Sequence, residues 1–83
     1  MFRVKIDVTL KKAVLDPQGK TILLSLHSLG FDKANDIRVG KYFDLKLDVD
    51  NADIAREQAI AICDKLLVNS VIEEYSFVIE EIK

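Results

Sequence analysis

The chain has 83 residues, of which 49% are hydrophobic and 31% charged, with a formal net charge of −2. A chain of this length makes one domain, residues 1–83, with a thin core burying roughly 60% of the surface its unfolded form exposes. The acidic balance argues against a nucleic-acid surface, and no apolar run approaches the roughly 20 residues that span a bilayer, so no membrane partner is expected.

The chain opens on "MFRVKIDVTL", which alternates cleanly. Phe2, Val4, Ile6, Val8 and Leu10 face one way; Arg3, Lys5, Asp7, Thr9 and Lys11 face the other. Period two predicts a half-buried strand over 2–11. It lacks the charged-then-apolar layout of a secretory signal, so a cytoplasmic setting is expected.

"LDPQGK" follows, Leu15 to Lys20, with the chain's one proline. Asp16 suits a helix N-cap, because its carboxylate accepts bonds from free amides, and Pro17 suits the first helical position, where no N–H is needed. Ile22, Leu23, Leu26 and Leu29 then share one face at helical spacing, and Gly30 is placed to end the helix with positive φ. The first helix is predicted over Pro17 to Leu29. The motif is a poor phosphate-binding loop: Gly19-Lys20-Thr21 lacks the upstream glycine, and an anionic cap sits where a phosphate would. It reads as a strand-to-helix corner with Gly19 and Lys20 at the surface.

"DIRVGKYFDLKLDVD" predicts two strands, Asp36 to Val39 and about Tyr42 to Val49, joined by a tight hairpin at Gly40 and Lys41. "NADIAREQAIAICDKLL" predicts a second amphipathic helix, capped by Asn51 or Asp53. Its buried stripe is Ala52, Ala55, Ala59, Ile62, Cys63 and Leu66, with small alanines that let it lie close to a sheet. Residues 71–82 predict a last strand of ambiguous phase, because Tyr75, Phe77 and Ile79 compete with Val78 and Ile82.

The order β-α-β-β-α-β predicts an α+β, ferredoxin-like fold, with two helices on one face of a four-stranded antiparallel sheet. The other face is left bare, lined by Arg3, Lys5, Asp7, Tyr42, Asp44 and Lys46. Val78 and Ile82 there mark an association surface.

No catalytic constellation emerges. His27 is the chain's one histidine and has no paired acid or cysteine at a useful spacing, so it reads as a half-exposed helix residue. Cys63, the one cysteine, can form no internal disulfide and reads as a small apolar filler beside Asp64, an acid that disfavours a thiolate. Glu73, Glu74, Glu80 and Glu81 lack metal-ligand spacing and read as solvent-facing. Strands 1 and 3 lack the stacking aromatics of an RNA-recognition sheet. Catalytic, cofactor and metal residues are therefore read as none.

Three stretches carry a resemblance: "LKKAVLDPQGKTI", "SLGFDKANDIRVGKYFDL" and "CDKLLVNSVIEEY". In this order, over nearly the whole chain, they resemble the PurS family, the small subunit of phosphoribosylformylglycinamidine (FGAM) synthase in purine biosynthesis. One departure is Ser70, where the family typically has proline, which predicts a looser Asn69–Val71 turn. The resemblance implies a subunit without catalytic residues of its own. It would join a PurL-type synthetase subunit to a PurQ-type glutaminase subunit and support ammonia transfer between them. ATP and magnesium would be used by the complex and not bound by this chain. It also implies a homodimer or homotetramer. Contacts with the partner subunits are expected at the exposed corner (Asp16, Pro17, Gly19, Lys20), the hairpin (Gly40, Lys41) and the last segment (Asn69, Val71, Ile72, Glu73, Tyr75), since functional contacts concentrate in loops. An ACT-like ligand-sensing dimerisation module is the alternative, and a small phosphatase a third, disfavoured for want of a phosphate loop.

Overall fold

The computed structural model describes residues 1–82. Its centre is β1 (Phe2–Leu10), flanked by β2 (Gly40–Leu47) and β3 (Glu73–Glu81) in the order β2-β1-β3, both pairings antiparallel. Ile6 lies opposite Phe43 and Phe77, and Val4 opposite Leu45 and Ile79. This register gathers every apolar row on one face and settles the phase of the last strand. Tyr75, Phe77 and Ile79 point to the core, while Val78 stands on the bare face, 59% exposed.

α2 (Ala52–Ile62) lies on the apolar face, against β1 and β3. Asn51 caps it: the side-chain oxygen accepts from the N–H groups of Asp53 and Ile54 at 2.7 and 3.1 Å. Ala55 and Ala59 are fully buried, Ala59 in one cluster with Val4, Ile6 and Val8, and their small side chains allow the close approach. Each of the three β1 side chains contributes about 1.5–3 kcal/mol by burial.

Beyond Ile62 the helix widens into a π-helical turn, Cys63–Leu67, closed by the Val68 N–H on the Cys63 carbonyl at 3.0 Å. The turn spans five residues and shifts the helical phase of its last side chains. Leu67 and Val68 therefore join the core, and Leu66, predicted to be buried, is 79% exposed. Ala52 also lies exposed, at the helix start.

α1 (Pro17–Ser28) departs from the expected layout. Its start and stop are as predicted: Asp16 caps it, Pro17 begins it, and Gly30 follows with φ of 96°. It does not pack on the sheet. Gly19 is its one buried residue, and Ile22, Leu24 and Leu29 are 41%, 62% and 73% exposed. The segment 31–39 returns alongside it, so helix and return segment form an arm. His27 Nε2 donates to the Ala34 carbonyl at 2.8 Å and ties the two together. The arm gives the molecule extents of 50 × 29 × 14 Å and a radius of gyration of 16.4 Å. A compact chain of this length would have about 12 Å.

Three sequence expectations are thereby corrected. The sheet has three strands among the described residues, not four, because residues 36–39 run beside α1 and pair with no strand. Only α2 covers the sheet face. There is no hairpin at Gly40 and Lys41: Gly40 begins β2 opposite Thr9, without positive φ.

Candidate functional site

The residues singled out in the sequence converge on the corner where the arm leaves the sheet. Asp16 stands at its centre, buried, with both carboxylate oxygens used. Oδ1 accepts from the Gly19 N–H at 2.9 Å, capping α1, and Oδ2 accepts from the Val39 N–H at 2.8 Å, joining the helix start to the return segment. These two backbone bonds, Gly19's first, hold the Asp16 carboxyl below its ordinary pKa, with help from Arg38. A carboxylate occupies the helix N-terminus, so the corner reading of "LDPQGK" holds.

Arg38 completes the corner. Its Nη2 lies 3.1–3.4 Å from the carbonyls of Leu10, Lys11 and Val14, and its Nε is 4.0 Å from Asp16. One guanidinium thus gathers the turn between β1 and α1 against the return segment. Sequence reasoning placed Arg38 in a strand and missed this role.

Two glycines permit the close approaches. A Cβ on Gly19 would collide with the Ile37 carbonyl, and one on Gly40 would stand 2.6 Å from the Val8 carbonyl. Gly19 is therefore buried, correcting its expected surface position, and Gly40 serves sheet packing.

A groove of about 220 Å³ runs along the corner, lined by Asp16, Gln18, Val39, Gly40, Lys41 and Glu73 among others. Lys41 Nζ pairs with Glu73 Oε2 at 3.1 Å, binding the start of β2 to the start of β3 across β1. Glu73 Oε1 accepts from the Asn69 N–H at 2.8 Å. The Asn69 amide and then Lys41 hold the Glu73 carboxyl below its ordinary pKa. Asn69 closes the turn: its carbonyl accepts from Ile72 and Glu73, and its side chain from Val71 at 3.2 Å. The turn is thus held without a proline at Ser70.

The structure brings Asp16, Gly19, Gly40, Lys41, Asn69 and Glu73 into one connected corner. Pro17 and Lys20 lie exposed beside it, and Val71 and Ile72 project at the turn's tip, 78% and 38% exposed. Tyr75 lies apart, on the apolar sheet face, stacked with Phe77 at 6.2 Å. Its hydroxyl donates to Asp64 at 3.4 Å; burial, then Asp64, push the phenol up. Burial likewise pushes the Cys63 thiol up, as suits a core filler.

The bare face carries cross-strand charge pairs: Lys5 Nζ with Glu80 at 3.0 Å, and Arg3 Nε 3.1 Å from Asp44, at ion-pair distance without the alignment of a hydrogen bond. Among the described residues, no helix is long and apolar enough to cross a membrane.

By fold and surface, this is a small α+β chain with one thin core, a projecting apolar arm and a corner tied by caps and ion pairs. A family model described as PurS, phosphoribosylformylglycinamidine (FGAM) synthase, matches residues 3–81. The chain is 40% identical to the phosphoribosylformylglycinamidine synthase subunit PurS of Bacillus subtilis, covering 99% of this chain and 96% of that one. The crystal structure of Methanocaldococcus jannaschii PurS, a subunit of formylglycinamide ribonucleotide amidotransferase in the purine biosynthetic pathway, matches with a TM-score of 0.90. It is 34% identical, with 100% of both chains covered. A chain of the PurLQS structure from Thermotoga maritima matches with a TM-score of 0.88 and 34% identity, over 95% of this chain and 96% of that chain. The chain belongs to the PurS family of FGAM synthase subunits.

Proposed function

We propose that this chain is the coupling subunit of an FGAM synthase, joining a PurL-type synthetase to a PurQ-type glutaminase so that ammonia released from glutamine reaches the synthetase. The supporting observation is the likeness, over 95% of the chain, to a chain of the Thermotoga maritima PurLQS structure. In this reading the catalytic residues, ATP and magnesium belong to the partners. The chain works in the cytoplasm as a homodimer or homotetramer. The corner around Asp16 and Glu73, with Lys20 and the Val71–Ile72 tip exposed on its rim, meets the partner subunits. The family match favours this over a ligand-sensing module.

The test is FGAM synthesis by the cognate large subunit and glutaminase, with and without this chain, driven by glutamine or by ammonia. The glutamine-driven reaction should require the chain, and the ammonia-driven reaction of the large subunit should not. Equal glutamine-driven rates without the chain would overturn the proposal.

A further inference from the structure

Charge is unevenly shared along the chain. Residues 11–41 hold six lysines and arginines against three aspartates, in a chain whose net charge is −2. Asp48, Asp50 and Glu81 stand at the far end of the sheet, where β1 begins at Phe2 opposite Leu47 and Glu81. β1 ends at Leu10, beside the corner, whose carbonyl Arg38 holds. A strand of this length separates the two ends by roughly 27 Å.

Within the basic stretch lies a groove of about 440 Å³, lined by Lys12, Lys20 and Arg38 together with Leu15, Leu23 and Ile37. Two acids line it as well, Asp16 and the exposed Asp36. Asp16 spends both oxygens on the Gly19 and Val39 amides and has Arg38 beside it. Among the described residues, Lys12 and Lys20 form no ion pair, and both are exposed. Leu15, between them in the chain, is 70% exposed. The Lys11 N–H donates to the Ile72 carbonyl at 2.9 Å, so this surface runs on to the Val71–Ile72 tip. A bare phosphate is poorly served here. Arg38 Nη2 is spent on three carbonyls, and Asp16 fills the helix N-terminus where an anion would otherwise bind. Exposed lysines around apolar side chains instead suit a protein surface of the opposite charge, with an apolar centre and a polar rim.

We infer that the groove and the tip receive an acidic segment of a partner subunit, its carboxylates meeting Lys12 and Lys20 and its apolar side chains covering Leu15 and the tip. This rests on the coupling-subunit reading above. Complementary charge of this kind acts mainly on the association rate and is screened by salt. An otherwise acidic chain is thereby steered to meet its partner corner first.

The test is the association rate of the full chain with the cognate large subunit and glutaminase, singly and mixed, measured by surface plasmon resonance at rising sodium chloride. Lys12→Glu and Lys20→Glu should each slow association at least about threefold, and together about tenfold, with a weaker dependence on salt. Lys46→Glu, the same reversal toward the far end of the sheet, should leave the rate within about 1.5-fold. Lys12→Arg with Lys20→Arg should keep the native rate, and Leu15→Ser should speed dissociation. Circular dichroism checks the fold of each variant. Native rates with the double reversal, an equal loss with Lys46→Glu, or unchanged dissociation with Leu15→Ser would overturn the inference. So would a greater loss in sodium phosphate than in sodium chloride of equal ionic strength, which assigns the groove to a phosphate. If the native chain binds neither subunit, the coupling reading fails as well; if it binds and the reversals change nothing, only the basic groove fails.

Discussion

The α2 half and the α1 arm carry similar apolar stripes on helices of similar length, yet only one is buried. α2 and the turn that follows it set Ala55, Ala59 and Cys63 on the sheet's side, and each is fully buried there. α1 offers larger side chains and buries only a glycine. The difference teaches that a stripe at helical spacing specifies a need for cover and not where the cover comes from. In α2 the small residues fit the chain's own sheet. In α1 the corner at Asp16 points the stripe outward.

This contrast can be sharpened from both sides. The largest effect belongs to the packed half. Ile6→Ala, beneath α2 at a fully buried position, should cost about 2–5 kcal/mol in urea unfolding, at every protein concentration. The arm should behave otherwise. Ile22→Lys with Leu29→Lys should preserve helix content, because a cation near the helix C-terminus suits the dipole. It should abolish the concentration dependence of Tm that an association stabilising the native state produces. A Tm that never depended on concentration would erase the contrast.

The corner between the two halves gives intermediate effects. Gly40→Ala pushes a methyl group against the Val8 carbonyl and should cost about 1–3 kcal/mol in the same unfolding experiment, the range for overpacking. Acid should loosen the corner as well. Asp16 and Glu73 titrate in the folded state below their ordinary 3.8 and 4.5. The stability they contribute is therefore present above those ordinary values and is lost as pH falls through the lowered ones. Asp16→Asn and Glu73→Gln should each flatten the acid limb of a Tm-against-pH curve, and an unchanged limb in both would remove the corner's carboxylates from the account. The smallest effect is Lys20→Glu, an exposed reversal expected to leave Tm within about 4 °C while weakening partner binding in a pull-down. Lys41→Glu is less clean, because it sets a second carboxylate against Glu73.

Much of this was legible in the sequence. The alternation of β1, the Asp16-Pro17 start, the Gly30 stop and the Ala55–Ala59–Cys63 part of the second helical stripe each act locally, and each is found in place. What escaped was set by distant partners. Residues 36–39 have strand-like composition, but their Val39 amide is taken by Asp16, 23 residues away. Gly40 read as a turn residue because glycine serves turns and close approaches alike; only the Val8 carbonyl distinguishes them. Leu66 was placed in the core by a strict helical period that the π-helical turn at Cys63 breaks. The corner residues were found as unusual loop residues, but their connection through Arg38 and Lys41–Glu73 is a tertiary fact with no local pattern.

The most direct test of the proposed coupling role, and of whether the uncovered arm takes part in it, is glutamine-driven FGAM synthesis with the Ile22→Lys/Leu29→Lys chain in place of the native one. The account predicts a folded chain that fails to support the glutamine-driven reaction, with the ammonia-driven reaction of the large subunit unaffected. Full glutamine-driven activity with a variant that is monomeric by light scattering would contradict it.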